Sequence, residues 1–257
     1  RYLQLQSKRA WIRLGLLAVM ALCALSILTS HSRGALVAAL TMGVVFWVKS
    51  PYKLRTGLVM ILLLPVLIMM MPEQWFERMG SIGSFQEDES AMGRVNAWWF
   101  AWNLAMDRPL LGGGFQAFSS ELFWKYAPNP TDFHDAHSIY FEILGEQGFV
   151  GLALFLLLAF LALSAATQIL RRAKGHAELR WARELAAMLQ VSLVGYAVGG
   201  AFLGLAYFDL YYHLIGMVVV LRVLVERQLS VVNEDASARP AAAGAAHTGR
   251  PVVRGRT

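Results

Sequence analysis

Cysteine is almost missing. The 257-residue chain has one, Cys23, inside an apolar run, so no intrachain disulfide can form. Charge is scarce too: 16% of residues are Asp, Glu, Lys or Arg against 57% hydrophobic, and mean hydropathy is +0.48. A chain this poor in charge cannot cover a soluble domain with polar surface, and it fits a polytopic membrane protein. Acids number 17 against 23 bases, for a net charge of +6. A nucleic-acid partner is nevertheless excluded, because the bases sit in short clusters between apolar runs, which is a topology signal. There is no GxGxxG, P-loop or HExxH pattern, no repeat of solenoid period and no cleavable signal peptide. The chain opens on Arg1 rather than Met, and it is expected to be part of a longer protein with further helices upstream.

What is present is six apolar runs, at about 14–30, 34–48, 56–72, 148–170, 185–206 and 210–226. A spanning helix needs about 17–25 such residues, so the first two runs sit near or below the limit and suit a tight hairpin. Pro65 falls inside the third run, where a kink is expected. Of the 23 basic residues, 18 lie before run one, between runs two and three, between runs four and five, or from the last turn of run six onward. Six spans put all four segments on one side, which the positive-inside rule makes cytoplasmic. The expected organisation is all-α: three transmembrane helices over 1–72, a long external loop over 73–147, three more helices over 148–228, and a disordered cytoplasmic tail over 229–257. The tail is rich in Ala, Gly, Pro and Arg, without apolar periodicity.

A loop as long as 73–147 is functional or disordered as a rule, and its composition argues against disorder. Met92, Val95, Trp98, Trp99, Trp102 and Met106 recur at helical spacing, which predicts an amphipathic helix with an aromatic face lying at the outer membrane–water interface. Pro109 and Gly112 to Gly114 end it. Arg94 falls in its first turns, with Glu87, Asp88 and Glu89 near enough to pair with it. Arg108 falls at its end, where a cation complements the helix dipole. Arg33 lies at the junction of the first two runs, beside His31, Ser32 and Gly34. An arginine at that depth is costly and usually functional, unless it snorkels to the interface.

The segment "DFHDAHSIYFEILGEQGFVGLALFLLL" puts Asp132, His134, Asp135 and His137 just before an apolar helix. Three readings compete. Asp135 caps a helix beginning near Ala136, with Ser138 alongside. Alternatively, the two histidines and two aspartates hold zinc, although the spacing is weak. In the third, a histidine acts as a general base toward an incoming hydroxyl. Asp132, Asp135, Glu142 and Glu146 share one segment, which argues against a glycosidase pair flanking a sugar; they cap, orient or pair instead. Tyr207, Asp209, Tyr211, Tyr212 and His213 form the last external turn. Its aromatics suit an interfacial belt, and Asp209 could orient a cation.

"SRGALVAAL" (32–40), "MGRVNAWWFAWNLAMDRPLLGGGFQAF" (92–118) and "HDAHSIYFEILGEQGFVGLALF" (134–155) together resemble the O-antigen ligase and polymerase superfamily. The resemblance covers roughly residues 30–225 and is nearest to the probable O-glycosylation ligases associated with exosortase systems in Gram-negative bacteria. It implies a GT-C-type integral membrane glycosyltransferase of the inner membrane, with its site facing the periplasm and about twice as many helices in the full enzyme. Such an enzyme takes a glycan from undecaprenyl diphosphate and transfers it, without metal or cofactor, to lipid A–core, another glycan or a protein. Carried over residue by residue, the resemblance makes His137 the base and Arg33 and Arg94 the diphosphate ligands. His134 lies outside the shared pattern and, with Arg108, Asp135 and Asp209, is a supporting candidate. Direct attack on the anomeric carbon would invert configuration. The alternatives are a glycan polymerase of the same superfamily, a lipid-linked glycan transporter, which would carry charges at mid-membrane, and a metal-dependent hydrolase.

Overall fold

The computed structural model describes residues 2–30, 32–50, 52–69 and 89–245. All regular structure among them is helical. Helices α1 (Tyr2–Gln6), α2 (Ala10–Thr29), α3 (Arg33–Lys49) and α4 (Lys53–Met69) come first, with Pro65 inside α4. Next come α5 (Glu89–Asp107) and the short α6 (Ser120–Tyr126). The last three are α7 (Ile139–Arg172), α8 (Arg180–Gly200) and α9 (Asp209–Ala245). Each of the six apolar runs falls largely within one helix, with shifted bounds. The run expected from 148 belongs to a helix that starts at Ile139, and the run expected to end at 206 stops at Gly200.

Two helices are long and apolar enough to cross a membrane, α2 (Ala10–Ile27) and α7; the shorter α3 is apolar over Gly34–Lys49. None of the α2 window is buried within the chain and only 22% of the α7 window is. In water such a surface would be an aggregation hazard, whereas in a bilayer it is the solvated face. Between helices in lipid there is little hydrophobic driving force, and small residues that allow close backbones take over. Ala162, Ala166 and Ala173 of α7 and its following turn meet Ala182, Ala186 and Leu189 of α8, with Val218, Leu221 and Val225 of α9 in the same buried cluster.

The helices alternate in direction, so their ends gather in two groups. At one end Gln6 donates to Glu184 (3.1 Å), while Lys49, the last residue of α3, donates to Gln190 midway along α8. Arg172 and Arg222 both donate to Glu226 at 3.0 Å there. At the other end a side chain at Gly34 would meet Phe202, one at Gly200 would meet Ile139, and Ala206 donates to Glu142 at 3.2 Å. Along α8, Glu184 and Gly200 stand about 24 Å apart at 1.5 Å per residue, most of the thickness of a hydrocarbon core. The clustered bases of 171–183 and 222–227 therefore lie at the end away from residues 134–147.

The tail expected to be disordered from 229 is helical as part of α9 through Ala245 among the described residues, with Pro240 inside that helix. Helix α5 forms where an amphipathic helix was expected, and its packed face is the one made of small residues and Phe100. Gly93, Ala97, Phe100, Ala101 and Leu104 face inward, while Trp99, Trp102 and Met106 are exposed. Small residues let α5 lie close on α7, which leaves the large aromatics outside.

Candidate functional site

The region 89–138 has its own small core. Phe100 and Phe123 stack at 4.9 Å, and Leu104, Ala117 and Tyr126 close around them. Burying each such aromatic is worth about 2–3 kcal/mol. One buried polar group organises the chain that follows. Asn96 Nδ2 donates to the carbonyls of Asn129 (2.8 Å) and Asp132 (2.9 Å), and its Oδ1 accepts the Asn129 N–H at 2.9 Å. Trp98 stacks on Phe141 at 4.9 Å and donates to the Ala136 carbonyl at 2.7 Å. Asn96 and Trp98, on two sides of α5, thereby hold residues 129–136 at the backbone of Asn129, Asp132 and Ala136.

His137 stands at the end of this bound segment. Its φ is +44°, in the left-handed region that costs a non-glycine residue of order 1–3 kcal/mol. Its Nδ1 lies 3.0 Å from the Asp135 carbonyl oxygen. A carbonyl can only accept, so Nδ1 donates in this contact, and in the neutral imidazole it is Nε2 that keeps the lone pair. The expected Asp135 cap near Ala136 is not what forms. Ser138, buried and without a side-chain cap bond, is the N-cap of α7, and the helix begins at Ile139. Ahead of it the chain turns at 128–132, where Pro128 and Pro130 cannot continue α6 and Asp132 N–H donates to the Asn129 carbonyl (3.3 Å), and 133–137 then run without regular structure. Asp135 contributes its backbone carbonyl and leaves its side chain exposed.

His134 packs on Gly93, where a Cβ would come within 2.6 Å of its ring. Its Nδ1 is 3.0 Å from Asp132 Oδ1, but off hydrogen-bonding alignment, so that buried nitrogen is unsatisfied. The alignment criterion is the stricter one, and we read the pair as a close contact rather than a hydrogen bond. Arg94, next to Gly93, is half-buried, and no hydrogen bond or ion pair engages it among the described residues. Glu87 and Asp88, its expected partners, lie outside the described residues, as does His31. Arg33 is the first residue of α3, capped by Ser32, which accepts from Ala35 N–H at 3.2 Å. Arg108 is exposed just past the end of α5.

The turn 201–208 joins these pieces. Gly34 beside Arg33 is packed against Phe202; a methyl on Gly204 would come within 3.9 Å of His137 Cα and 3.5 Å of Glu142 Oε2. Asp209 opens α9 just beyond, its carbonyl 2.7 Å from His213 Nδ1. The structure thus brings His137, His134 and the segments carrying Arg33 and Arg94 to one end of the helices, with Asp209 on the adjoining turn. Arg108 is set apart, on the loop leaving α5. Among the described residues, no cluster of three or more His, Cys, Asp or Glu is arranged to hold a metal ion.

Sequence reasoning missed the glycine lock beneath the site. Helix α7 breaks at Gly148 (φ +64°), and the loop 109–114 fills the break. Phe149 N–H donates to Pro109 (2.9 Å), Gly113 N–H to Gly145 (2.8 Å) and Gly114 N–H to Glu146 (2.9 Å), replacing helical bonds with loop bonds. Glu146, 7% exposed, accepts from Gln116 N–H at 2.8 Å and Tyr207 O–H at 2.6 Å. Burial and the adjoining Glu146 carboxylate push the Tyr207 hydroxyl up, so it stays protonated as a donor. The cue is a triple glycine one helix turn after Pro109, paired with EQG at 146–148, a pattern that serves for more than ending α5.

The family described as O-antigen ligase matches residues 18–156, more than half of the chain. No curated protein and no solved structure matches.

Proposed function

Since the chain belongs to the O-antigen ligase family, we propose that it is a membrane glycosyltransferase that moves a glycan from undecaprenyl diphosphate to an acceptor hydroxyl. Ligase- or polymerase-type glycan chemistry in a membrane follows from the family. The donor, the residue roles and the sidedness are our reading. The observation that carries it is His137, whose Nδ1 is committed to the Asp135 carbonyl while its Nε2 remains free to accept a proton.

In this reading Nε2 takes the proton from the acceptor hydroxyl as its oxygen attacks the anomeric carbon. The C–O bond to the diphosphate breaks as the new bond forms, with inversion and without a metal, and the diphosphate leaves as an anion. General-base help of this kind is worth about 10² to 10⁴ in rate. Arg33 and Arg94 hold the diphosphate; their planar forks suit phosphate oxygens, and in a partly dehydrated site they stabilise the charge developing on the leaving group. Arg108, His134, Asp135 and Asp209 support. Six spans of a GT-C-type bundle in the inner membrane would put the basic helix ends in the cytoplasm and His137 in the periplasm. The exposed Trp99, Trp102 and Met106 would then lie in the outer interface. Lipid A–core, a second glycan and a protein are the acceptor classes, and the exosortase-associated ligases are the subgroup we favour.

The test replaces the gene in its native host. His137→Ala is expected to insert normally and lose glycan transfer. Arg94→Lys is expected to weaken binding of undecaprenyl diphosphate, because a point charge cannot reproduce a two-pronged contact. Full transfer by His137→Ala, or unchanged lipid binding by Arg94→Lys, would defeat the respective assignment.

A further inference from the structure

The geometry points to Glu146 and Tyr207 as a positioning pair that sets the turn 201–208 over His137; the inference rests on His137 being the base. Glu146 meets two donors from segments far apart in sequence. One carboxylate oxygen takes the Gln116 N–H of the loop after α5 (2.8 Å), the other takes the Tyr207 hydroxyl of the turn between α8 and α9 (2.6 Å). Gln147 Nε2 reaches the same hydroxyl at 3.4 Å, and the Phe115 ring lies 5.5 Å from the Tyr207 ring. Gln116 itself is held at φ +61°. Both principal partners are donors, so the position requires two acceptors; a carboxylate supplies them and an amide offers one.

The pair's consequence lies one turn away. Tyr207 belongs to the turn in which Gly204 lies against His137 Cα and Glu142, and in which Ala206 N–H is held by Glu142 at 3.2 Å. That turn is tied to α7 by side-chain carboxylates at two points, Glu142 at Ala206 and Glu146 at Tyr207, both from the first two turns of the helix whose N-terminus follows His137. Tyr196 of α8 and Tyr212 of α9 hold the same turn from the other helices, donating to the carbonyls of Leu205 and Ala206. Releasing Tyr207 leaves Glu142 as the one carboxylate that fixes the turn to the helix end beside His137. The turn can then shift relative to the imidazole while the helices and the arginine-bearing segments stay in place. A displacement of about 1 Å between base and substrate can cost about 10²-fold in rate. The pair touches no reacting atom and acts through the placement of others.

The experiment uses membranes of the native host, which contain donor and acceptor, carrying Tyr207→Phe, Glu146→Gln, the double variant or His137→Ala. Transfer rate is measured alongside binding of undecaprenyl diphosphate to the purified protein. Tyr207→Phe is expected to cut transfer about 10- to 100-fold with lipid binding unchanged within about twofold. Glu146→Gln is expected to cut it at least as far. The double variant is expected to be no worse than Glu146→Gln alone, because removing the hydroxyl donor leaves the single amide acceptor to Gln116. Should Glu146→Gln fail to accumulate, Tyr207→Phe, on a half-exposed ring, still decides the matter. Wild-type transfer by Tyr207→Phe, equal losses in transfer and lipid binding, or losses that multiply in the double variant would each overturn the pair. If His137→Ala keeps full transfer, the base assignment fails instead, whatever the pair does.

Discussion

Gly112→Ala is the most direct test of how loop 109–114 is fitted into the break of α7. Gly112 sits at φ +59°, and a Cβ there would lie 2.6 Å from the Gly145 carbonyl oxygen, 2.7 Å from Glu146 C and 2.7 Å from Gly148 N. All three are backbone atoms, so none can rotate away. The left-handed conformation alone costs alanine about 1–2 kcal/mol. Relieving contacts about 1 Å too short adds an overpacking penalty of about 1–3 kcal/mol. Gly114 is an internal control. Its φ is +82° with nothing within 4 Å of a built Cβ, so Gly114→Ala should carry the conformational cost and no clash. The difference between the two variants is then about 1–3 kcal/mol, or about 2–10 °C in melting temperature for a chain this size. Thermal unfolding of both purified variants in one detergent measures it, and proteolysis of the 109–117 loop reports whether the Gly113–Gly145 and Phe149–Pro109 bonds survive. If Gly112→Ala melts with Gly114→Ala and its loop stays protected, the close approach does not constrain the loop and the argument from the glycines is wrong.

Asn96→Ala should remove three hydrogen bonds and orphan backbone groups of Asn129 and Asp132, at about 2–4 kcal/mol. We expect glycan transfer to fall with it, because the segment leading to His137 loses its clamp; transfer at the wild-type rate would separate Asn96 from the site. In a Cys23→Ser background, Ser119→Cys and Lys174→Cys should be labelled from opposite faces of the membrane by an impermeant thiol reagent. Labelling of both from one face would break the proposed topology.

Much of the helix layout was legible because it depends on local composition. Apolar runs long enough for helices, bases at their ends and punctuation such as "RPLLGGGF" sit in consecutive residues, and the structure keeps each run largely in one helix. The bounds moved where tertiary contacts compete with hydropathy. Helix α7 begins nine residues before the expected 148 because Glu142 and Glu146 find donors in Ala206, Gln116 and Tyr207 and so tolerate burial. The amphipathic reading of α5 found the helix and its exposed aromatic residues, but not the face by which it packs. In a membrane the packed face is marked by small residues, such as Gly93, Ala97 and Ala101, and hydropathy does not see them.

At the candidate site, the residue types were readable one by one: a histidine before a helix, arginines at run boundaries, a triple glycine. Which of them meet was not. Arg33, Gly93, His137 and Gly204 come from four separate segments, and no spacing along the chain encodes that Phe202 covers Gly34 or that Gly204 lies against His137. Composition alone determined that this chain is helical and suited to lipid, because hydropathy and charge are sums over neighbouring residues. Only the folded chain decided which imidazole nitrogen is free, and that a single buried carboxylate ties the loop after α5 to the final turn, because those depend on hydrogen bonds between groups as much as 61 residues apart.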